Sequence, residues 1–166
     1  MIFVTVGTHE QQFNRLVENV DTLKKEGIIK EDVIIQTGYS TYEPRYCKWK
    51  KFFPYKEMIE LVDSARIVIT HGGPSSFIMP LQIGKIPIVV PRQHKYGEHV
   101  NDHQVSFSRA VAERKGIIII VEDIEKLGDI IERYDEIKAE IKSTLKSNNQ
   151  KFNDDLSSIV EDMFIR

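Results

Sequence analysis

The stretch Ile67-Val68-Ile69-Thr70-His71-Gly72-Gly73-Pro74-Ser75-Ser76 decides the fold of this 166-residue chain. A β-branched run ends in His-Gly-Gly and Pro-Ser-Ser follows, which predicts a buried strand, a tight turn and a helix N-terminus. Such a junction presents unpaired backbone N–H groups and the positive end of a helix dipole, and phosphates bind there. A second junction lies near the N-terminus, where the run Ile2–Val6 leads into Gly7, Thr8 and His9. Two such turns indicate a nucleotide or a nucleotide sugar as the ligand.

Apolar runs of strand type recur along the chain, and segments with helical spacing separate most of them. The predicted strands are Ile2–Val6, Val33–Gln36, Ile67–Thr70, Ile86–Val90 and Ile117–Val121, with a shorter one near Cys47–Phe53. The predicted helices are Phe13–Leu23, Met58–Val62, Phe77–Ile83 and Val100–Arg114, followed by a charged helical region from Ile124 onward and a last helix at Phe152–Phe164. Strands that are apolar on both faces and alternate with helices predict an α/β fold whose parallel sheet is covered on both sides. We therefore expect a Rossmann-like domain at residues 1–122, with C-terminal helices at residues 123–166 packed on the same domain.

Composition excludes several classes of protein. The formal net charge of −2 gives no electrostatic basis for binding nucleic acid. The single cysteine, Cys47, allows no internal disulfide, which fits a reducing compartment. The chain opens directly on a strand with no signal-peptide pattern, and its longest strongly apolar run, Ile117–Val121, is too short to span a bilayer. We therefore expect a cytoplasmic protein that reaches a membrane only through a partner or a surface patch.

Four motifs occur in a recognisable order: Val4-Thr5-Val6-Gly7-Thr8, His71-Gly72-Gly73-Pro74, Gly84-Lys85-Ile86-Pro87-Ile88-Val89-Val90-Pro91-Arg92 and Gly97-Glu98-His99-Val100-Asn101-Asp102-His103-Gln104. Together they resemble the C-terminal, donor-binding half of GT-B glycosyltransferases. The subgroup they resemble serves bacterial exopolysaccharide and capsule synthesis. That subgroup is similar to the catalytic subunit of the eukaryotic two-part UDP-GlcNAc transferase that acts on a dolichol-linked sugar. The resemblance covers residues 1–122.

The resemblance implies a division of labour between two polypeptides. A complete GT-B enzyme has two Rossmann-like domains with the active site between them, and this chain has length for one. The resemblance therefore implies that this chain is the donor-binding subunit of an inverting transferase. Such an enzyme would move galactose or GlcNAc from a UDP-sugar without an obligatory metal ion. A membrane-anchored, acceptor-binding subunit would supply the lipid-linked acceptor at the inner face of the membrane. Alone, such a domain is expected to be able to self-associate.

The resemblance also assigns roles to residues. The donor diphosphate is expected to contact both glycine turns and the loop after the Ile86–Val90 strand, through Gly7, Thr8, His71, Gly72, Gly73, Ser75 and Arg92. The donor sugar is expected to contact Glu98, Asp102, His103 and Gln104. His9 is a candidate for the base that deprotonates the acceptor hydroxyl, although in fused relatives that base belongs to the acceptor half. Simpler alternatives are that the glycines only permit tight turns, that His71 braces its loop and that Arg92 is a surface charge. We expect no metal site, because His99 and His103 lack a third ligand.

One position departs from the family pattern. Many relatives carry a glutamate that holds the ribose diol five residues before the glycine of the Gly-Lys-x-Pro element, and Met79 stands there in this chain. This departure leaves open a second hypothesis, a non-catalytic regulatory subunit that binds a nucleotide sugar. A stand-alone enzyme on a Rossmann domain is disfavoured, because Gly-x-Gly-x-x-Gly does not follow the first strand. The aromatic stretch from Tyr39 to Phe53 fits local packing, a wall for base stacking or a face for a partner.

Overall fold

The computed structural model describes residues 1–146, and side chains as far as residue 144. Within that part of the chain, six strands form one parallel sheet: β1 (Ile2–Thr5), β2 (Val33–Gln36), β3 (Lys48–Lys50), β4 (Ile67–His71), β5 (Ile88–Val90) and β6 (Ile119–Ile120). Their order across the sheet is β3-β2-β1-β4-β5-β6. The predicted α/β, Rossmann-like architecture is confirmed, and each predicted strand is present with its ends within two residues of the prediction, except that β3 ends three residues earlier.

The helices are α1 (Asn14–Lys25), α2 (Tyr55–Ser64), α3 (Pro74–Gln82), α4 (His103–Lys115), α5 (Leu127–Glu132) and α6 (Tyr134–Lys146), with short 3-10 helices at His94–Tyr96 and Ile124–Lys126. The patterns predicted the four longer helices of the sheet region, but α4 begins three residues later than expected. Gly97 adopts φ +68° and ends the 3-10 helix, so the chain turns there before α4 starts. The helix predicted at Phe152–Phe164 lies outside the described residues. None of the helices in the described part is both long and apolar enough to cross a membrane.

Helices cover both faces of the sheet. On one face Ile2, Val4 and Ile69 pack in a cluster that includes apolar residues of α1, α5 and α6. On the opposite face Phe3 and Val68 pack against α2, while Val89 packs against α3 and α4. Burial of both sheet faces explains why β1, β4 and β5 each contain three successive apolar residues.

The strand order places a topological switch point between β1 and β4. From β1 the chain builds β2 and β3 on one side of the sheet and β4 to β6 on the other. Thr5 lies opposite Thr70 in the register of the two strands, so the two glycine turns leave the sheet side by side. Ligands of open parallel sheets bind in the crevice at such a point, outside the carboxyl ends of the strands.

The irregular segment between β2 and β3 is fixed by one buried carboxylate of α1. Asp21 Oδ2 accepts hydrogen bonds from the Tyr42 hydroxyl at 2.8 Å and the Arg45 N–H at 3.0 Å. Its Oδ1 accepts from the N–H groups of Tyr46 at 2.8 Å and Cys47 at 3.2 Å. Burial alone would raise the pKa of Asp21, but these hydrogen bonds outweigh burial and hold the pKa below its usual value. The carboxylate thereby replaces regular secondary structure in this segment.

Substitution Asp21→Asn is expected to cost about 3 kcal/mol of stability at neutral pH, because an amide NH2 then faces backbone donors that had a charged acceptor. The pKa of Asp21 is depressed in the folded state, so its stabilisation is present above the unfolded pKa of about 3.9 and is lost as pH falls through the folded value. The difference in stability between the wild type and the variant should therefore begin to shrink below about pH 4 and keep shrinking as pH falls towards the folded pKa. Urea unfolding across pH 3–7 measures this, with exposed Asp32→Asn as the matched control. A stability difference that is independent of pH would contradict the assignment.

Candidate nucleotide-sugar site

The two glycine turns both pack against the imidazole ring of His71. Gly7 has φ +77°, and a Cβ placed on it would lie 2.3 Å from His71 Nε2. A Cβ on Gly73 would lie 2.2 Å from His71 Cε1. Side-chain carbons do not approach one another so closely, and an L-residue at position 7 would also be strained by the positive φ. Glycine at both positions therefore allows both turns to reach His71, which is itself 7% exposed.

His71 is a neutral ring whose partners define its tautomer. Burial, followed by the nearby Arg92 cation, lowers the pKa of His71 to about 3. Its Nδ1 accepts a hydrogen bond from the Gly73 N–H at 3.0 Å and faces the Gln104 Nε2 at 3.4 Å. The proton must then be on Nε2, which lies 2.8 Å from Ser76 Oγ and donates to it. The Ser76 hydroxyl hydrogen is left to be donated to another acceptor.

Gln104 joins the glycine turn of β4 to the loop after β5. Its Oε1 accepts from the Gly72 N–H at 3.0 Å and from the Arg92 N–H at 3.1 Å. Gln104 and His71 thus accept from the N–H groups of Gly72 and Gly73, and the expected phosphate contacts of these two glycines stay predictions. The expected sugar contact of Gln104, whose amide is buried and engaged inside the protein, also stays a prediction.

The backbone N–H group of this turn that a ligand can reach belongs to Ser75. Pro74 is the first residue of α3 and has no N–H. Ser75 is exposed, and in the described residues its N–H donates to no protein acceptor. The donors that the turn offers to an anion are therefore the Ser75 N–H and the hydroxyls of Ser75 and Ser76, at the positive end of α3.

Arg92 donates to carbonyl groups inside the protein, and its expected phosphate contact stays a prediction. Its side chain is fully buried, and Nη2 donates to the Val6 carbonyl at 2.7 Å. Nη1 donates to the carbonyls of Gln11 at 2.8 Å, Gln12 at 3.2 Å and Glu98 at 3.0 Å. Burial lowers the pKa of Arg92 to about 10, so the group remains a cation at neutral pH. The cation positions the loop that follows β1 against the loop that follows β5.

Glu98 is likewise buried and engaged inside the protein. Its carboxylate accepts from Arg15 Nε at 2.9 Å and Nη2 at 3.0 Å, in a two-point ion pair. It also accepts from the Gln93 N–H at 3.0 Å. The carboxylate thereby holds α1 to the loop after β5, and the expected sugar contact of Glu98 stays a prediction.

Two of the expected sugar ligands remain accessible at the start of α4. Asp102 is exposed, although its Oδ1 accepts from the His94 N–H at 2.9 Å. His103 is exposed, and its ring lies 6.3 Å from that of Phe107 at 26°. Both side chains are accessible to a ligand and stay candidates for contact with a sugar.

A pair of stacked histidines lies beside the glycine turn of β1. The rings of His9 and His99 are 4.6 Å apart with an interplanar angle of 14°. His9 Nε2 lies 2.8 Å from Gln11 Oε1, and Thr8 before it is exposed. Burial, followed by His9 and Arg92, lowers the pKa of His99. Across the described residues, no three His, Cys, Asp or Glu side chains are grouped closely enough to hold a metal ion.

The polar residues beneath the two glycine turns were not predicted from the sequence. Thr5 Oγ1 accepts from the Gly7 N–H at 3.1 Å and from Gln36 Nε2 at 3.0 Å, and Gln36 Oε1 accepts from the Phe53 N–H at 2.9 Å. The one signal for them was that each is a polar residue at the last position of an apolar strand. Ser76 was missed as well, although the helix N-terminus had already singled out its neighbour Ser75.

Two further features bear on how a nucleoside would be held. Met79 packs in the apolar cluster of Phe3 and Val62, so it offers nothing to a ribose diol. Tyr39 and Phe52 are 54% and 40% exposed, and their rings meet edge to face at 5.3 Å. These two aromatic residues follow β2 and β3 at the same edge of the sheet as the glycine turns.

Solved structures share this fold. The glycotransferase of kitacinnamycin has a TM-score of 0.56 and 15% identity over 99% of this chain. The glycosyltransferase SnogD from Streptomyces nogalater has a TM-score of 0.52 and 18% identity over 87% of this chain. The chain spans 39% of the length of each of these two proteins.

Sequence comparison agrees with the fold. No protein of curated function is similar to the chain in sequence at a significant level. The sequence profile described as "Glycosyltransferase family 28 C-terminal domain" matches residues 1–163. That range contains both glycine turns, the His71 site and all of the strands described above. The chain therefore belongs to the family of glycosyltransferase family 28 C-terminal domains.

Proposed function

We propose that the crevice between β1 and β4 binds the diphosphate of a nucleotide sugar and that the chain is the donor-binding half of a glycosyltransferase. The observation that carries this proposal is the cluster of donors at the start of α3. The Ser75 N–H and the Ser76 hydroxyl lie at the positive end of the helix, and neutral His71 orients the hydroxyl. Negative charge develops on the diphosphate as it leaves, and such donors stabilise that charge without a metal ion.

The proposal extends to the other parts of the donor. Tyr39 and Phe52 would stack on the base, because they are exposed aromatic rings at the same sheet edge. Thr8 and the Gly7 turn would lie along the phosphates, while Asp102 and His103 would contact the hexose. We propose UDP as the nucleotide and galactose or GlcNAc as the sugar, transferred with inversion. These specifics depend on the resemblance to exopolysaccharide and capsule transferases.

The acceptor would come from a second polypeptide. We propose a membrane-anchored partner that binds a lipid-linked acceptor and recruits this chain to the membrane, as the resemblance to two-part exopolysaccharide and capsule transferases implies. His9 remains the base candidate on this chain, with a base on the partner as the alternative. A regulatory subunit without catalytic residues is the second candidate function, favoured by the engagement of Glu98 and Gln104 inside the protein.

A negative charge at the start of α3 should change the stability of the protein and its affinity for anions in opposite directions. In Ser75→Glu the new carboxylate lies at the positive end of the helix, so the free protein should gain about 0.5 kcal/mol of stability. The same carboxylate repels a diphosphate, and affinity for UDP should fall by roughly 100-fold, since like charges in direct contact are strongly unfavourable. Thermal unfolding with UDP, UDP-galactose and UDP-GlcNAc, and with a dinucleotide as the specificity control, measures both effects.

The matched control is Ser64→Glu, which places the same charge at the last residue of α2. It should leave UDP binding unchanged and should destabilise slightly, because the dipole is negative there. Equal UDP binding by wild type and Ser75→Glu would refute the proposed phosphate site. Co-expression with the acceptor subunit separates the two functions. Ser75→Glu abolishes transfer if this chain binds the donor for catalysis, and transfer persists if the chain only regulates.

A further inference from the structure

A cavity of about 490 Å³ opens at the rim of the sheet, beside the edge strand β3. Its volume lies within the range of small-molecule sites. None of the residues placed in the nucleotide site lines it. The cavity is lined by Thr41, Tyr42, Glu43, Pro44, Arg45 and Trp49.

Two side chains of α1 hold the wall of this cavity in place. Asn14 Oδ1 accepts from the N–H groups of Thr41 at 2.9 Å and Tyr42 at 3.0 Å. Asp21 accepts from the Tyr42 hydroxyl and the Arg45 N–H at the other end of the segment. A wall fixed in this way is formed before a ligand arrives, which reduces the entropy cost of binding.

The lining combines aromatic surface with two oppositely charged groups. Trp49 is half-buried against the core and Pro44 is buried, which gives the cavity an apolar side. Glu43 and Arg45 are exposed, and in the described residues their side chains make no hydrogen bond. Because their charges are opposite, the cavity suits a neutral ligand with a flat apolar face and several hydroxyls around its edge.

A sugar ring has that chemistry, and an added peptide strand is disfavoured. Lys48 and Lys50 are exposed on either side of Trp49, and lysines on an edge strand oppose pairing with another strand. We propose that this cavity is a saccharide subsite. A pyranose ring would lie on the Trp49 indole while Glu43 and Arg45 hydrogen-bond its hydroxyls.

Trp49 is the single tryptophan of the chain, so its fluorescence reports on this cavity alone. We expect methyl galactoside, methyl N-acetylglucosaminide or lactose to change the emission of the full chain saturably, with half-saturation in the millimolar range. The double variant Glu43→Gln/Arg45→Gln should weaken this binding at least tenfold. It should leave the emission of the free protein and the UDP affinity unchanged, because both side chains are exposed and outside the nucleotide site.

The control double variant Glu60→Gln/Arg114→Gln makes the same chemical changes at exposed positions outside the cavity, and it should bind like the wild type. The proposal is overturned if none of the three saccharides changes the emission at concentrations up to about 100 mM, well above the expected constant. It is also overturned if both double variants bind equally well. A UDP titration monitored on the same variants tests the proposed function separately, so failure of either idea is recognised independently of the other.

Discussion

Replacing Arg92 with methionine is expected to lower the free energy of unfolding by about 4 kcal/mol. The guanidinium is fully buried and donates to the carbonyls of Val6, Gln11, Gln12 and Glu98. Methionine fills similar volume but donates nothing, so these carbonyls lose their hydrogen bonds and the two loops lose their common anchor. Urea unfolding monitored by circular dichroism gives the loss directly.

Arg109→Met is the matched control, because Arg109 is an exposed arginine whose ion pair with Glu122 lies at the surface. Its unfolding midpoint should stay within experimental error of the wild type. UDP binding distinguishes the two roles considered for Arg92. A folded Arg92→Met protein of unchanged stability that has lost UDP binding would show a phosphate ligand. The structure leads us to expect the reverse, a large loss of stability with residual UDP binding in the folded fraction.

A coupled effect is expected between positions 71 and 73. Gly73 has φ −72° and ψ 126°, which alanine adopts without strain, so the cost of Gly73→Ala arises from contact with the His71 ring. We expect Gly73→Ala to cost about 3 kcal/mol, as overpacking in a rigid site does. In the double variant with His71→Ala the new methyl group occupies the space of the ring. The double variant should therefore be more stable than the sum of the single changes by about 1–3 kcal/mol.

Gly72→Ala provides the control for this cycle. A Cβ at Gly72 would lie 2.9 Å from both Gln104 Cβ and Ser108 Oγ, two atoms that take no part in the contact between Gly73 and the His71 ring. Its effect should be close to additive with His71→Ala. Equal coupling of His71→Ala with Gly72→Ala and with Gly73→Ala would show that the loop relaxes as a whole and that the ring is not the specific contact.

The fold was predictable from the sequence because its signals are local. The β-branched runs, the helical spacing and the two glycine turns each depend on neighbouring residues, and parallel strands must bring their carboxyl ends to one edge. For this reason the predicted strand Val33–Gln36 agrees with β2 at both ends. The shorter β5 follows from Pro87, which has no N–H to pair in a sheet.

The partners of the polar loop after β5 could not be predicted. In sequence, Arg92, Glu98 and Gln104 resemble a row of ligand contacts, since polar residues clustered in a loop often form a site. Whether such a group faces solvent or the interior depends on chain that is distant in sequence. Arg92 reaches the carbonyl of Val6, 86 residues away, and Glu98 pairs with Arg15, 83 residues away. No local sequence pattern encodes these long-range contacts.

Pairing of β1 with β4 also sets the order in which the protein takes shape during synthesis. His71 emerges 66 residues after Thr5, because β1 ends at residue 5 and β4 at residue 71. At typical elongation rates of about 5–20 residues per second, the central strand waits roughly 3–13 s before its second neighbour exists. During that interval the edge of β1 that will pair with β4 stays unpaired, and an unpaired edge of an apolar strand is open to association with other chains. The binding crevice, which needs both turns, cannot form before then.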